Sequence, residues 1–334
     1  MKLATERTGT PDGRLLVVSR DLALGAPADG VASTLQEALE RWDAVEGALA
    51  ALYERLNERQ VPSARPLADL VLAAPLPRAW QWLDGSAFPT HGVLMQKAFD
   101  TPPIEADWPL MYQGMSHRFL SPTEDVPLPS EADGIDFEGE FGVITGAVPL
   151  GTETAAAVGH IKLVVQINDW SLRRMAPLEM KTGFGWIQAK PACSAAPIAV
   201  TPDELQGAWA DNRITATLEV WRNDEPFGAV PATEAVYGFD ELIAHAARTR
   251  TLCAGTIIGS GTVSHSGYRR YGSCCIAERR AIEIIDGGAA ATPFLAFGER
   301  VRMQARADAA DLPLFGAIDQ RVVDAFNHPS RRGP

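Results

Sequence analysis

The chain has 334 residues, of which 46% are hydrophobic and 22% charged, a composition typical of a globular protein with a large core. Its formal net charge of −12 argues against a general nucleic-acid surface, which needs clustered lysine and arginine. The four cysteines form no Cys-x-x-Cys pair, so they predict neither a zinc site nor a disulfide framework. We expect a cytoplasmic protein, because no apolar run reaches the roughly 18 residues of a membrane helix and no signal-peptide core opens the sequence.

The first part of the chain predicts a strand followed by a long amphipathic helix. Residues 14–21 (RLLVVSRD) have the composition of a buried strand. Apolar residues then recur every three or four positions between residues 35 and 56, which is the spacing of one buried helix face. Ser33 with Gln36 three residues later predicts a capping box at the start of this helix.

From about residue 80 onward, short apolar runs alternate with glycine and proline turns. The predicted strands include FGVITG, IKLVVQIND, ITATLEVWRND, GTIIGSGTVS and AIEIIDG. A proline-rich stretch over residues 62–80 predicts a domain boundary, so we expect a small α+β domain at 1–80 and a β-rich domain at 81–330. The second domain is expected to be a mixed sheet folded into a roll or irregular barrel.

One predicted strand, GIDFEGEFGVITG, carries acids at alternate positions. Asp136, Glu138 and Glu140 therefore share a face of the strand. The two glutamates lie roughly 6.5–7 Å apart along it, and a hard divalent cation would relieve their repulsion. Asp169 ends the apolar run VVQIND and is placed to enter the same site. A solvated strand face with a turn aspartate remains the alternative interpretation.

Several ordered motifs resemble the fumarylacetoacetate hydrolase family. These are Asp-Phe-Glu-x-Glu at 136–140, Asn-Asp-Trp-Ser-x-Arg at 168–173 and a lysine at 190 before a proline-bounded strand. The resemblance continues through GSGTVS, GSCCIAERR and FLAFGERV and covers nearly the whole chain. Residues 1–80 are similar to the short N-terminal domain of bacterial members. The resemblance implies an α+β, β-rich fold with a mixed β-sheet roll, and a homodimer.

The resemblance also implies a metal site. Glu138, Glu140 and Asp169 match the family's ligands for a divalent cation, with Mg²⁺ expected first and Mn²⁺ or Ca²⁺ as alternatives. A fourth family ligand is an aspartate that precedes the catalytic histidine. Leu110 stands at the matching position, so this ligand is expected to be absent.

By the same resemblance, His117 is the catalytic histidine, Glu278 its partner and Lys190 a cation near the developing enolate. A histidine suits general-base catalysis because its pKa lies near neutrality, and a carboxylate orients the imidazole. Taken alone, a histidine in a loop is more often structural. His91 is interpreted as a structural histidine, although it could line the same cleft.

Four further residues are expected to bind the substrate. Tyr112 lies five residues before the predicted catalytic histidine, and Arg173 stands beside the metal aspartate. Thr262 matches a position that contacts a substrate carboxylate. Ala176 replaces a family glutamine, and Gln188, expected on the same strand face as the catalytic lysine, is a candidate substitute.

The implied function is metal-dependent hydrolysis of a C–C bond in a β-diketo acid such as an acylpyruvate, with a water activated by the histidine–glutamate pair. The alternative is a hydratase, isomerase, decarboxylase or dehydratase acting on a 2-oxo acid at the same metal site, which Leu110 and Ala176 favour. A non-enzymatic metal-binding module is disfavoured, because it does not explain the ordered His117, Lys190 and Glu278.

Overall fold

The computed structural model describes residues 1–100, 102, 106–307 and 313–327. The elements up to residue 150 are β1 Lys2–Glu6, β2 Arg14–Val18, β3 Leu24–Pro27, α1 Leu35–Glu40, α2 Trp42–Asn57, β4 Arg65–Pro66, β5 Trp82–Gly85, α3 Pro89–Phe99, β6 Met111–Gly114, β7 Val126–Leu128, β8 Ile135–Asp136 and β9 Gly139–Thr145.

The elements after residue 150 are α4 Thr154–Ala157, β10 Ile161–Asn168, β11 Ser171–Leu172, α5 Ala176–Thr182, β12 Ser194–Ala195, β13 Ile198–Val200, β14 Trp209–Ala210, β15 Arg213–Ile214, β16 Thr217–Arg222, β17 Glu225–Pro231, α6 Phe239–Ala247, β18 Ile257–Gly259, α7 Tyr268–Tyr271, α8 Ile276–Gly287, β19 Arg300–Arg306 and β20 Ala317–Asp324. None of the helices in the described part of the chain is long and apolar enough to cross a bilayer.

Two sheets hold most of these strands. The larger has the order β4-β3-β2-β1-β13-β10-β9-β18-β5-β6, with β12 pairing β10, and the smaller has the order β17-β16-β19-β20-β7. Both are mixed, since β18 runs parallel to β5 and β20 parallel to β7 while their other neighbours run antiparallel. The predicted α+β, strand-rich fold is confirmed. Over the described residues, the sheets are open and do not close into a barrel.

The N-terminal strands belong to the same sheet as the later ones. β1 pairs antiparallel with β13, with Leu3 opposite Ala199, so the sheet runs without interruption from the N-terminal segment into the rest of the chain. Leu49 of α2 is fully buried and lies in one apolar cluster with Leu3 and Leu15. The long amphipathic helix therefore buries its apolar stripe against this end of the sheet.

The helical pattern between residues 35 and 56 is confirmed, although it forms two helices. The backbone leaves helical geometry at Arg41, which separates α1 from α2. Thr34, rather than Ser33, is the N-cap, and its side chain accepts a hydrogen bond from the Glu37 amide at 3.1 Å. A threonine in this position satisfies an amide that the first helical turn leaves unpaired.

The strand prediction for AIEIIDG is wrong, because these residues lie in α8. This helix begins after Cys275, the N-cap, and ends at Gly288, whose φ of +82° suits glycine. Ile276 and Ala281 are buried, and α8 packs against α3. Tertiary packing therefore overrides the strand preference of the isoleucines. The helix that packs against α8 is α3, which was not predicted from the sequence.

Candidate active site

Four neighbouring strands, β5, β18, β9 and β10, bring acidic side chains to one place in the larger sheet. Asp84 lies in β5, Glu140 lies in β9, and Asp169 follows the last residue of β10. All three side chains are buried, and one carboxylate oxygen of each lies within 4.8 Å of the others. The sheet thus concentrates three carboxylates in a space that excludes most water.

Glycines in the GSG stretch make room for the first of these acids. A Cβ on Gly259 would lie 2.2 Å from Oδ1 of Asp84. Gly261, at a φ of +75°, donates its amide to the same oxygen at 3.0 Å. Only a residue without a side chain permits this close approach between the two parallel strands.

Two cations neutralise a fourth acid at the edge of the cluster. Lys190 Nζ donates to Oε2 of Glu138 and, at 2.6 Å, to Oδ2 of Asp169. Arg173 donates to Oε1 of Glu138 at 2.6 Å. Burial alone would raise the pKa of Glu138, but Arg173 and Lys190 outweigh it and hold the pKa well below its usual range. Glu138 is therefore an anion paired with two cations.

Asp136, the first acid of the alternating strand, holds a helix. Its carboxylate accepts the amides of Ile276 at 2.7 Å and Ala277 at 2.9 Å, the first two of α8. It also accepts Nε of Arg173 at 2.8 Å. A carboxylate at a helix N-terminus satisfies unpaired amides and interacts favourably with the helix dipole. Asp136 thereby fixes both α8 and the arginine.

The positive charges around Asp84, Glu140 and Asp169 do not offset the effect of burial on the pKa values of these acids. Burial, followed by neighbouring carboxylates, raises the pKa of both Asp84 and Glu140 well above the usual range, and burial also raises the pKa of Asp169 although Lys190 opposes it. Oε2 of Glu140 is buried and has no hydrogen-bond partner among the described residues. Its other oxygen accepts the hydroxyl of Thr262 at 3.5 Å.

These oxygens fit a divalent metal site. Carboxylate oxygens are donors that a hard divalent cation prefers, and among the described residues Oε2 of Glu140 has no hydrogen-bond partner. Two of the predicted ligands, Glu140 and Asp169, lie in the cluster. The third predicted ligand, Glu138, is bound to cationic side chains instead. Asp84 is the third acid of the cluster. Leu110, at the position of the fourth family ligand, is 41% exposed, and Asp84 is a further carboxylate beside Glu140 and Asp169.

Next to the carboxylates, helices α3 and α8 form an imidazole–carboxylate pair. His91 Nδ1 lies 3.2 Å from Oε2 of Glu278. The other oxygen of Glu278 accepts the hydroxyl of Ser264 at 3.1 Å. The carboxylate is fully buried, whereas the His91 side chain keeps 23% of its surface exposed. A buried acid therefore fixes the orientation of an imidazole that solvent can still reach.

The expected pair of His117 with Glu278 is not formed. His117 follows β6, the edge strand, and is exposed in a surface cavity that Arg7, Arg78 and Glu124 also line. The chain leaves the sheet edge there and runs toward the N-terminal segment. His91 takes the position against Glu278 because α3 packs directly on α8.

The remaining predicted residues divide into two groups. Tyr112 donates its hydroxyl to Oδ2 of Asp169, and Lys190 Nζ lies 5.4 Å from the centre of the tyrosine ring. With Arg173 and Thr262, these residues surround the carboxylates. Gln188 differs: its side chain is exposed, its backbone amide donates to Glu179 at 2.8 Å, and it lies outside any strand.

Asp84 and Cys193 are not among the site residues predicted from the sequence, and His91 is predicted there to be structural. Cys193 is buried and donates its thiol to Oδ1 of Asp169 at 3.0 Å. A signal for Asp84 was present, because WLD, like VVQIND, is an apolar strand that reaches an acid. His91 follows seven residues later, at the start of the next helix.

Two family models match this chain. One, described as fumarylacetoacetate (FAA) hydrolase C-terminal, matches residues 81–323. The other, described as fumarylacetoacetase N-terminal domain 2, matches residues 1–78. A strand-rich fold with buried carboxylates beside an imidazole agrees with this class of protein. The chain belongs to the fumarylacetoacetate hydrolase family, which confirms the resemblance found in its motifs.

Solved structures show the same fold at low identity. A Mycobacterium smegmatis protein described as an HpcE protein is 20% identical, with a TM-score of 0.69 over 97% of this chain and 100% of its own. Maleylpyruvate hydrolase from Sphingobium sp. SYK-6, with manganese(II) and pyruvate bound, is 19% identical, with a TM-score of 0.64 over 97% and 99%.

A third structure is the 5-carboxymethyl-2-hydroxymuconate delta-isomerase of M. smegmatis. It is 16% identical, with a TM-score of 0.57 over 97% of this chain and 99% of its own. A search of curated proteins finds no match to the chain. Each of these comparisons shows that the solved structure and this chain share a fold.

Proposed function

We propose that this protein is a metal-dependent hydrolase that cleaves a C–C bond in a β-diketo acid of the acylpyruvate type. The observation that carries the proposal is the 3.2 Å contact of His91 with buried Glu278 beside the carboxylate cluster. A histidine held by a carboxylate is suited to take a proton from water. C–C hydrolysis of a diketo acid needs such a water together with a site that accepts negative charge on oxygen.

The imidazole and the carboxylates belong to one electrostatic site. Burial raises the pKa of Glu138, and the charges of Arg173, Lys190 and then His91 lower it. The backbone of Glu138 also pairs with that of Cys275, the N-cap of α8, so the helix that carries Glu278 begins beside the acidic strand. A substrate bound at the carboxylates would lie within reach of the activated water.

Oxygens of Asp84, Glu140 and Asp169 would hold a divalent cation, with Mg²⁺ proposed first and Mn²⁺ as the alternative. When bound, this cation supplies Lewis acidity to the oxygens of the diketo group. Support for Mn²⁺ comes from the family relative whose structure contains manganese(II) and pyruvate.

The chain's own residues then account for the proton movements. His91, oriented through Nδ1 by Glu278, accepts a proton from water at Nε2. The water oxygen bonds to the carbonyl carbon farther from the carboxylate, and the adjacent C–C bond breaks. Its electron pair moves to the departing 2-oxo acid, whose methylene carbon takes back the proton held by His91. One water is consumed and two carboxylic acids are formed.

Positive side chains support the charge that develops in this step. Lys190 and Arg173 lie at the edge of the carboxylate cluster and are both held by Glu138. Burial would lower the pKa of Lys190, but Asp169 and Glu138 raise it above its usual range, so the ammonium group stays charged. A fixed cation near a developing enolate stabilises the transition state.

The test is a screen of acylpyruvates and 2-oxo-enoic acids with Mg²⁺ or Mn²⁺, with the products identified by NMR. Two carboxylic acids in equal amounts are expected. Water addition, loss of CO₂ or a shifted double bond would instead assign a lyase or isomerase acting on a 2-oxo acid. Cation binding without turnover of any of these acids would reject an enzymatic role. Leu110 and Ala176 favour a lyase or isomerase, and identification of the products distinguishes these classes from a hydrolase.

A further inference from the structure

A thiol lies beside the imidazole–carboxylate pair. His91, Cys275 and Glu278 each offer one possible metal-ligand atom, and these three atoms lie within 4.8 Å of one another. Cys275 is the N-cap of α8, and its Sγ accepts the Glu278 amide at 3.3 Å. Cys275 and Glu278 are fully buried, and His91 forms the side of the trio that solvent reaches.

This trio has a different donor chemistry from the carboxylate cluster. It offers one nitrogen, one sulfur and one oxygen, a set that zinc and other thiophilic divalent ions prefer over Mg²⁺. Tetrahedral bonds of about 2.0–2.3 Å place neighbouring ligand atoms roughly 3.3–3.8 Å apart. His91 Nδ1 and Glu278 Oε2 stand 3.2 Å apart, close to this spacing, and the ligand atoms of all three residues lie within 4.8 Å of one another.

We propose that His91, Cys275 and Glu278 form a second metal site, selective for a thiophilic divalent cation such as Zn²⁺ or Cd²⁺. On binding, the thiol releases its proton to solvent and its sulfur bonds to the metal. A water on the exposed side of His91 completes the fourth position. The carboxylate cluster offers three carboxylate oxygens, with the Cys193 thiol hydrogen-bonded to one of its acids, and keeps its preference for hard cations.

Occupancy of this site has a consequence that rests on the proposed function. Because His91 would be bound to the metal, it could not accept a proton from water. Zn²⁺ is therefore expected to inhibit the Mg²⁺-activated hydrolysis. Binding of the cation at this second site can be measured without turnover, so the binding test does not depend on the proposed reaction.

The test titrates Cd²⁺ into the full chain in the presence of saturating Mg²⁺. Ultraviolet absorption from thiolate-to-cadmium charge transfer is followed. We expect a band of single-thiolate intensity that saturates at one Cd²⁺ per chain. Cys275→Ser should abolish the band, and serine is itself a favourable N-cap, so α8 is retained. Cys274→Ser, at the neighbouring buried thiol, and Cys253→Ser, at an exposed thiol, should keep it.

A second variant separates loss of the ligand from loss of the fold. His91→Ala stays within a helix, where alanine is well tolerated, and should weaken Cd²⁺ binding at least tenfold. Circular dichroism checks that each variant is folded. A wild-type protein without the band, a band that persists in Cys275→Ser, or unchanged Cd²⁺ affinity in His91→Ala would each overturn the second site.

Discussion

His91 and Glu278 are 187 positions apart in the chain, yet Nδ1 of one lies 3.2 Å from Oε2 of the other. Each is the third residue of its helix, His91 in α3 and Glu278 in α8. The two helices pack together, so the contact joins two N-terminal turns. A carboxylate in such a turn is stabilised by the helix dipole and can hold the imidazole in one orientation.

Replacing His91 by alanine should therefore remove the general base. We expect kcat on an acylpyruvate to fall by about 10²–10⁴-fold, the usual contribution of general-base catalysis. Steady-state kinetics with Mg²⁺ present measures the loss. His117→Ala is the matched control, since this exposed histidine lines a different cavity, and its kcat should stay within about twofold of wild type.

A large loss in His117→Ala combined with normal turnover in His91→Ala would reverse this assignment. His117→Ala should unfold close to the wild-type temperature because that side chain is exposed, whereas His91→Ala leaves Oε2 of buried Glu278 without this partner and should unfold at a lower temperature. A thermal scan of each variant confirms that kinetics is compared between folded proteins.

The carboxylate cluster makes a separate prediction about metal binding. Asp84→Asn and Glu140→Gln each remove a charged oxygen donor at nearly constant volume. Mg²⁺ or Mn²⁺ affinity should fall by about 100-fold or more in each, because even residues that only orient metal ligands contribute 10–100-fold. Isothermal titration calorimetry measures the change. Glu153→Gln, at an exposed glutamate, is the control and should bind normally.

Unchanged metal affinity in Glu140→Gln would remove this residue from the site altogether. Unchanged affinity in Asp84→Asn alone would restore a cluster in which Glu138 is the third ligand. The two substitutions therefore distinguish between the ligand set expected from the motifs and the set that the geometry favours.

The sequence predicted one half of this site better than the other. Glu140 and Asp169 follow from local patterns: alternation along a strand, and an acid where an apolar strand ends. Asp84 has the second pattern too, but its strand is short and borders the stretch interpreted as a domain boundary. Its proximity to Asp169 depends on the sheet order β5-β18-β9-β10, which no local pattern reveals.

The histidine could not be chosen by local reasoning for a similar reason. His91 and His117 both stand near apolar residues, and only the packing of α3 on α8 selects His91. That packing was hidden because the isoleucines of AIEIIDG suggested a strand. The family resemblance predicted a histidine beside Glu278, and in the structure His91 lies there.

Cys193 should act as a positioning residue for a metal ligand. Its thiol donates to Oδ1 of Asp169 at 3.0 Å, while Lys190 and Tyr112 engage Oδ2. Cys193→Ala removes one of these restraints and should weaken Mn²⁺ binding by about tenfold, the lower range for residues that orient ligands. Cys193→Ser keeps a donor and should recover most of the affinity.

Cys253→Ala is the matched control, because this thiol is exposed. Calorimetry on the three variants measures the effect directly. Equal weakening in Cys193→Ala and Cys193→Ser would point to packing rather than to the hydrogen bond. Full affinity in Cys193→Ala would show that Asp169 is held by its other partners alone.

The buried acids should also link stability to pH in the metal-free protein. Burial, followed by nearby carboxylates, raises the pKa of Asp84 and Glu140 in the folded state, and burial raises that of Asp169. A raised folded pKa contributes stability that is present below the unfolded value, about 4, and is lost as pH rises through the folded value. Glu138 has a lowered folded pKa, so its contribution is lost only as pH falls.

With a chelator present, Tm should therefore decrease as pH rises from about 5 to 8, where Glu138 is ionised in both states. A divalent cation binds the deprotonated carboxylates, so the increase in Tm on adding Mn²⁺ should grow over the same range. Thermal unfolding at several pH values measures both trends. Glu140→Gln removes one titrating acid and should flatten the metal-free slope. A Tm increase that is independent of pH would contradict binding of the cation by acids that must first lose a proton.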